Sequence, residues 1–334
     1  MNNTTNTLVE LKKLKFHVPE GNKKSKCHSM HIGKPNGNCP LMKVHGHVTD
    51  RVSEAVYLGD ILSADGKNTH NIKSRVSKGM GIVTKIMDIL KTVSFGSNYF
   101  EIAITLRESQ LINGMLTNAE VWYGLLKSEV NELEEVDRLL IRRILELPNS
   151  SCIESLYLEL GLCPISVILK ARRIGYLHYL VNLQNDEMLK RFFKVQWQYP
   201  VKNDWVEQVK EDLKDFGIQP DLEKIQAKST WSFKNLLKIK MKEHALETLN
   251  GMKGSKMSNL IHTELKLQEY IRSDNVSVTS AKVLFKWRTR AAKFKENYKG
   301  SYLVPSCPYC LIHMDTQAHS FQCDEMRQSV EIKS

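Results

Sequence analysis

The sequence predicts an α+β fold, predominantly α, in three parts: a small antiparallel β segment at the N-terminus, a helical bundle, and a C-terminal Cys/His module. Three observations carry this. Short β-prone runs separated by turn residues extend to Asp65-Gly66, apolar residues then recur every three or four positions, and Cys307-Pro-Tyr-Cys310 is followed by His319 and Cys323.

In the first part, Lys26–Ile32 alternates, with Cys27, Ser29 and His31 on one side and His28, Met30 and Ile32 on the other. Leu41–Val48 and Val52–Ser63 are further short strands, and Asn36-Gly37, Gly46 and Asp65-Gly66 supply the turns. Residues 1–66 form this segment. Leu111, Met115, Ala119, Trp122 and Leu126 then make one helical stripe; Leu133, Val136, Leu140, Ile144 and Leu147 make a second, ended by Pro148. The second carries Glu129, Glu132, Glu134 and Glu135 early and Arg138, Arg142 and Arg143 late, the order a helix dipole favours. Ser151 with Glu154 reads as a capping box, Gly161 as the stop of the short helix that follows, and Pro164 as the opening of a helix through Val181. These helices occupy 67–184. From Asn185 to about Asn275, Gly, Lys and Ser interrupt every apolar run despite Trp197, Trp205 and Trp231, so 185–300 reads as a loosely packed basic helical region and 301–334 as the Cys/His module and tail.

The chain of 334 residues carries 48 Lys+Arg against 37 Asp+Glu, a formal charge of +11; 42% hydrophobic and 25% charged residues describe a globular protein. Uncharged runs such as Ser109–Ala119 fall short of the ~18–20 apolar residues a membrane span needs, and the first residues show no secretory pattern. Seven cysteines are odd in number and too sparse for a disulfide scaffold, which points to a reducing compartment, nucleus or cytoplasm. The positive charge is concentrated. Lys224–Lys256 holds eight lysines against Glu243 and Glu247; Lys282–Lys299 holds Lys282, Lys286, Arg288, Arg290, Lys293, Lys295 and Lys299 against Glu296 alone. Segments of this kind are the electrostatic footprint of a phosphate-bearing partner, or the solvated faces of long helices.

Cys-x₂-Cys places two thiolates on one tight turn, and His-x₃-Cys puts two more donors a helical turn apart. Four soft donors with no open position describe a structural zinc site formed by Cys307, Cys310, His319 and Cys323. His313 is a cramped substitute for His319. Cys27, His28, His31, Cys39, His45 and His47 suggest a second site, but strand alternation sends His28 and His31 to opposite faces. Gly79-Met-Gly81 followed by Lys85 lacks phosphate-loop spacing. In the helix-like stretch Ala281–Lys299, Lys282, Lys286, Arg290 and Lys293 share a stripe while Leu284, Trp287 and Ala291 lie on another face. Either the stripe tracks a phosphate backbone, or Trp287 packs inward and leaves the lysines in water.

Taken in order, these pieces resemble the carboxy-terminal part of a non-LTR (LINE-type) retrotransposon reverse transcriptase. Leu14-Lys15-Phe16 with Lys26-Cys27-His28-Ser29-Met30 is similar to the end of the palm. Ala55-Val56-Tyr57-Leu58-Gly59-Asp60-Ile61-Leu62 with Asp65-Gly66 is similar to the hairpin that grips a primer end, through Tyr57, Leu58 and Gly59. Ile72-Lys73-Ser74-Arg75 and Glu120-Val121-Trp122-Tyr123-Gly124 resemble thumb signatures, and Phe285–Arg290 ahead of a zinc-knuckle-like cluster resembles the end of such polyproteins. The resemblance implies a palm-end segment at 1–66, a thumb-like domain at 67–184 and a Cys/Cys/His/Cys zinc module.

Departures from the family shape the functional expectation. The family's polymerase aspartates lie upstream of the matched palm segment, and this chain has no Asp-Asp pair, so no catalytic residue and no Mg²⁺ site is expected. The final His-x₃-Cys is one residue shorter than the His-x₄-Cys common in such clusters. The expected protein is a truncated reverse-transcriptase derivative, inactive as a polymerase by itself. It binds single-stranded or hybrid RNA or DNA through Lys282, Lys286, Arg288, Arg290, Lys293 and Lys295, and no membrane. The alternative is a zinc-stabilised protein-interaction module with a basic surface.

Overall fold

A computed structural model of the chain describes residues 28–32, 43–44, 47–93, 98–149, 151–252, 262–272, 276–292, 294 and 306–325. Their fold is α+β and predominantly helical, with the strands confined to the N-terminal part.

Six short strands make three pairs: β1 (His28–Ser29) with β4 (Asp50–Arg51), β2 (Lys43–Val44) with β3 (His47–Val48), and β5 (Glu54–Tyr57) with β6 (Asp60–Ser63). The last two pairs are antiparallel as expected, whereas β1 and β4 run parallel, in the register His28↔Asp50. A parallel pair cannot be joined by a tight hairpin, and 20 residues separate Ser29 from Asp50 in the sequence. In the β5–β6 hairpin Tyr57 faces Asp60, and both turn residues, Leu58 (φ 49°) and Gly59 (φ 87°), are left-handed, as a tight two-residue hairpin requires.

Helix α1 (Thr69–Thr92) buries Ile72, Arg75, Gly79, Val83, Ile86 and Leu90, one residue every three or four, against α3 (Lys127–Leu145). A Cβ on Gly79 would sit 2.6 Å from Met115 Sδ and 3.0 Å from a Val136 methyl, so this glycine serves close helix packing. Between these helices lies α2 (Tyr99–Leu106). It runs into a π-helical turn, Arg107–Ile112, then one α turn, Asn113–Met115, and a 3₁₀ turn, Ala119–Val121. The expected single stripe from Leu111 to Leu126 is therefore broken: its first four members are buried, but Leu126 is exposed. The wide turn coincides with the fully buried Arg107, which bonds Asp137 through Nε (2.7 Å) and Nη2 (2.6 Å) and the Cys163 carbonyl through Nη2 (3.0 Å). Meeting two partners far along the chain takes precedence over helical regularity.

Helix α3 buries Leu133, Val136, Leu140 and Ile144 as expected. Before α4 (Ile153–Leu160), the expected Ser151/Glu154 box does not form. Ser151 Oγ donates to the Pro148 carbonyl (2.8 Å), Glu154 accepts from the Cys152 thiol (2.8 Å), and Cys152 is the N-cap. Gly161 ends α4 in the left-handed conformation. A Cβ there would lie 2.3 Å from the Lys266 carbonyl carbon, because the 262–268 segment crosses at a Leu160↔Leu267 bridge.

Helix α5 (Ile165–Asn182) is the centre of the bundle. Packed on or near it are α6 (Met188–Gln198), α7 (Trp205–Asp215), α8 (Leu222–Gln226) and α9 (Thr230–Met252). The stretch expected to be loose is thus well packed. Val206, Val209, Leu213, Phe233 and Leu249 are buried, and Arg173 grips Asp212 through two bonds of 2.6 and 3.1 Å. Two further helices, α10 (Glu269–Arg272) and α11 (Val278–Arg288), close the bundle, and α12 (Gln317–Gln322) belongs to the Cys/His module. Helix α11 stops at Arg288 rather than running on toward Lys299: Thr289 caps it, and Arg290 turns left-handed (φ 52°). No helix among the described residues is long and apolar enough to cross a membrane.

Candidate metal centre and basic faces

The C-terminal module is built by a tight loop and one helix. An antiparallel bridge, Ser306↔Met314, closes the loop; inside it the Cys307 amide donates to the His313 carbonyl (2.7 Å) and the Leu311 amide to the Cys307 carbonyl (2.9 Å). Thr316 caps α12 by accepting from the His319 amide (3.0 Å), which sets the His319 ring over the loop, and Cys323 follows at the helix end.

The ligand atoms of Cys307, Cys310, His319 and Cys323 all lie within 4.8 Å of one another. Cys307 and Cys323 are buried with their sulfurs 3.9 Å apart, and Cys310 Sγ is 3.3 Å from His319 Nε2. A tetrahedron with metal–sulfur bonds of about 2.3 Å has edges of about 3.8 Å, so four donors at these separations fit one ion. The backbone amides of His313 and Ile312, followed by the His319 ring, draw the Cys310 thiol down to about 6, which favours the ligating thiolate. His313 contributes its carbonyl to the loop while its ring stacks at a tilt on His319, 5.0 Å away. This is the one metal-competent group among the described residues. Cys27, Cys39 and His45 lie outside them.

The hairpin tip is the second feature. Tyr57 and Leu58 are 64% and 76% exposed, so the apolar tip stands in solvent. Its base is fixed by Asp60, which accepts from Arg75 (2.7 Å), Asn118 (2.8 Å) and Asn71 (3.0 Å), while Asn118 also donates to the Leu58 carbonyl (3.0 Å). Burial pushes the Asp60 carboxyl up, but the bonds from Arg75, Asn118 and Asn71 outweigh it and hold the group below its ordinary value.

The basic residues expected to meet nucleic acid are not equivalent. Lys282 bonds Glu146 (2.8 Å) and lies 4.9 Å from the centre of the Tyr99 ring. Arg288 bonds the buried Glu159 through Nε (3.0 Å) and Nη2 (3.3 Å) and stacks 5.3 Å from Tyr270. Lys286 is half-buried and Arg290 exposed; Lys293 and Lys295 lie outside the described residues. Trp287 is half-buried, its ring edge-on to Phe294 at 5.1 Å.

A cleaner basic face lies on α9. Trp231 is 77% exposed at its start, and Lys234, Lys238 and Lys242 follow at intervals of three, four and four residues, all exposed. No carboxylate pairs with these three among the described residues, in contrast to Lys240, which bonds Glu243 (2.8 Å). A cleft of about 550 Å³ adjoins them, lined by Glu108, Ser109, Cys163 and Met241 as well as Lys238 and Lys242. The signal was present in the lysine-rich stretch 224–256, as a helical spacing rather than as net charge. No family model matches the chain, and comparison with curated proteins and with solved structures gives no match either.

Proposed function

We propose that the chain is a zinc-carrying nucleic-acid-binding protein derived from a non-LTR retrotransposon reverse transcriptase, without polymerase chemistry of its own. The observation that carries this reading is the row Trp231, Lys234, Lys238, Lys242 on one exposed face of α9. An exposed indole offers a stacking surface to any base, and lysines spaced four residues apart rise about 6 Å per step along the helix, a stride suited to successive phosphates of an extended strand. The exposed hairpin tip at Tyr57-Leu58-Gly59, anchored at its base through Asp60, adds a second apolar contact of the kind that would hold a strand end. The partner is single-stranded or hybrid RNA or DNA. The chain has no adjacent aspartates of the kind that hold metal ions for phosphoryl transfer in the family it resembles.

Zinc is the metal that three thiolates and one imidazole in a closed tetrahedron select, and its role is structural. No disulfide joins the cysteines at 152, 163, 307, 310 and 323, in keeping with a reducing nuclear or cytoplasmic setting.

A titration of a fluorescent mixed-sequence single strand tests the reading. Trp231→Ala should weaken binding about tenfold, the loss of roughly one stacked base. Failure of the wild-type chain to bind at low salt would overturn the proposal. A protein-interaction role is the second reading, favoured by the exposed Tyr309, Leu311, Ile312 and Met314 in a module with no lysine or arginine among its described residues.

A further inference from the structure

We propose that two copies of the chain pair through the outer face of α6, antiparallel across a two-fold axis. Met188, Phe192, Val195 and Tyr199 are 72%, 66%, 59% and 74% exposed. They fall at intervals of four, three and four residues, which is one stripe of a helix. Tyr199 keeps the helical turn, its amide donating to the Val195 carbonyl (2.9 Å). The opposite face is committed to the core: Phe193 is buried, Trp197 packs against the cluster, and the buried Lys190 bonds the Val181 carbonyl. With that side anchored, the helix cannot rotate to hide its outer stripe. Single exposed apolar residues need no explanation, but four in one contiguous row do.

The spacing four-three-four reads the same from both ends. Laid antiparallel on itself, the stripe sets Met188 against Tyr199 and Phe192 against Val195, twice over, with the axis between positions 193 and 194. That is the self-complementarity an isologous interface requires. The charges agree. Asp186 and Glu187 precede the helix and Lys202 follows it, so an antiparallel pair brings the acidic end of one copy to the lysine of the other. The helix dipoles add to this, since each N-terminus then meets a C-terminus. A parallel pair would place like charges together at both ends. An eleven-residue helix is only about 16 Å long, so the interface is small and the dimer weak, in the micromolar range.

Sedimentation across a concentration series tests this. The wild-type mass should rise from 38.4 kDa toward twice that value as concentration increases. Phe192→Lys and Val195→Glu should each stay monomeric with unchanged helical circular dichroism, because both positions face solvent in the single chain. Mixing the two variants should restore the dimer, since the new ammonium and the new carboxylate then oppose each other across the axis. A wild-type chain that stays monomeric at about 300 µM, far above the micromolar range, would overturn the proposal. Dimers that survive either substitution would overturn it too, as would folded variants that remain monomeric when mixed.

Discussion

Arg288 reaches across 129 residues of sequence to bind both oxygens of Glu159, a carboxylate with no solvent exposure. Tyr270 adds a hydroxyl bond to the same carboxylate (2.6 Å), and His262 Nε2 lies 3.1 Å from its other oxygen. One buried acid therefore ties α4, the 262–270 segment and α11 together.

The bonds to Glu159 give Arg288 a role in stability. Arg288→Ala should lower unfolding free energy in urea by roughly 1.5–3 kcal/mol, the worth of hydrogen bonds to a charged group. Lys286→Ala on the same helix should change it by no more than about 0.5 kcal/mol. Equal effects would contradict the structural role given to Arg288.

The pH dependence follows from the same carboxylate. Burial pushes Glu159 up, but the adjacent His262 ring and the bonds from Arg288 and Tyr270 outweigh it and hold the group below its ordinary value of 4.5. A group depressed in the folded state contributes stability that is present above 4.5 and lost as pH falls through the lower folded value. Unfolding midpoints should therefore drop below about pH 4.5, and Glu159→Gln should flatten that drop while lowering stability at neutral pH. An unaltered acid limb in Glu159→Gln would show that other carboxylates carry it.

Two glycines separate conformation from contact. Gly217 is left-handed (φ 61°) with open space around it, so Gly217→Ala should cost about 1–2 kcal/mol from the backbone alone. Gly161 is also left-handed (φ 66°), but a Cβ would strike the Lys266–Leu267 backbone. Gly161→Ala should cost at least about 3 kcal/mol, because backbone on both sides must move. Comparable losses at the two sites would mean that the 262–268 segment yields easily.

Protein purified without chelator should carry one tightly bound metal ion, read by native mass spectrometry. Cys310→Ser and Cys323→Ser should each release it and open 306–325 to protease, since so short a segment has little core besides the metal. Cys152→Ser should leave it bound. Metal retained in both ligand variants would remove the site from this cluster.

Where the determining interactions were local, the sequence was a good guide. The stripe from Leu133 to Ile144 and the stop at Gly161 follow from spacing and backbone freedom within a few residues, and so does the Cys/His cluster, whose donors all fall within one short segment. Long-range demands were hidden. Nothing near Arg107 announces that it must meet Asp137, and the π-helical turn there has no local signature. Ser151 Oγ turns back to donate to the Pro148 carbonyl rather than accepting from a helical amide, and the N-cap is Cys152. The close packing of the helices between 188 and 252 was hidden because lysines interrupt their apolar rows, although Phe233, Leu237, Met241, Ala245 and Leu249 keep a four-residue beat. The bond from Arg288 to Glu159 was hidden in the same way, because the two lie 129 residues apart in sequence.

The most direct test of nucleic-acid binding is its salt dependence on a single-stranded oligonucleotide. Each phosphate neutralised adds roughly 0.7 to the slope of log K against log salt. Replacing Lys234, Lys238 and Lys242 with alanine should flatten that slope by about 2 and weaken binding to every sequence alike. A slope unchanged by the triple substitution would contradict the assignment of this helix face as the site that meets the strand.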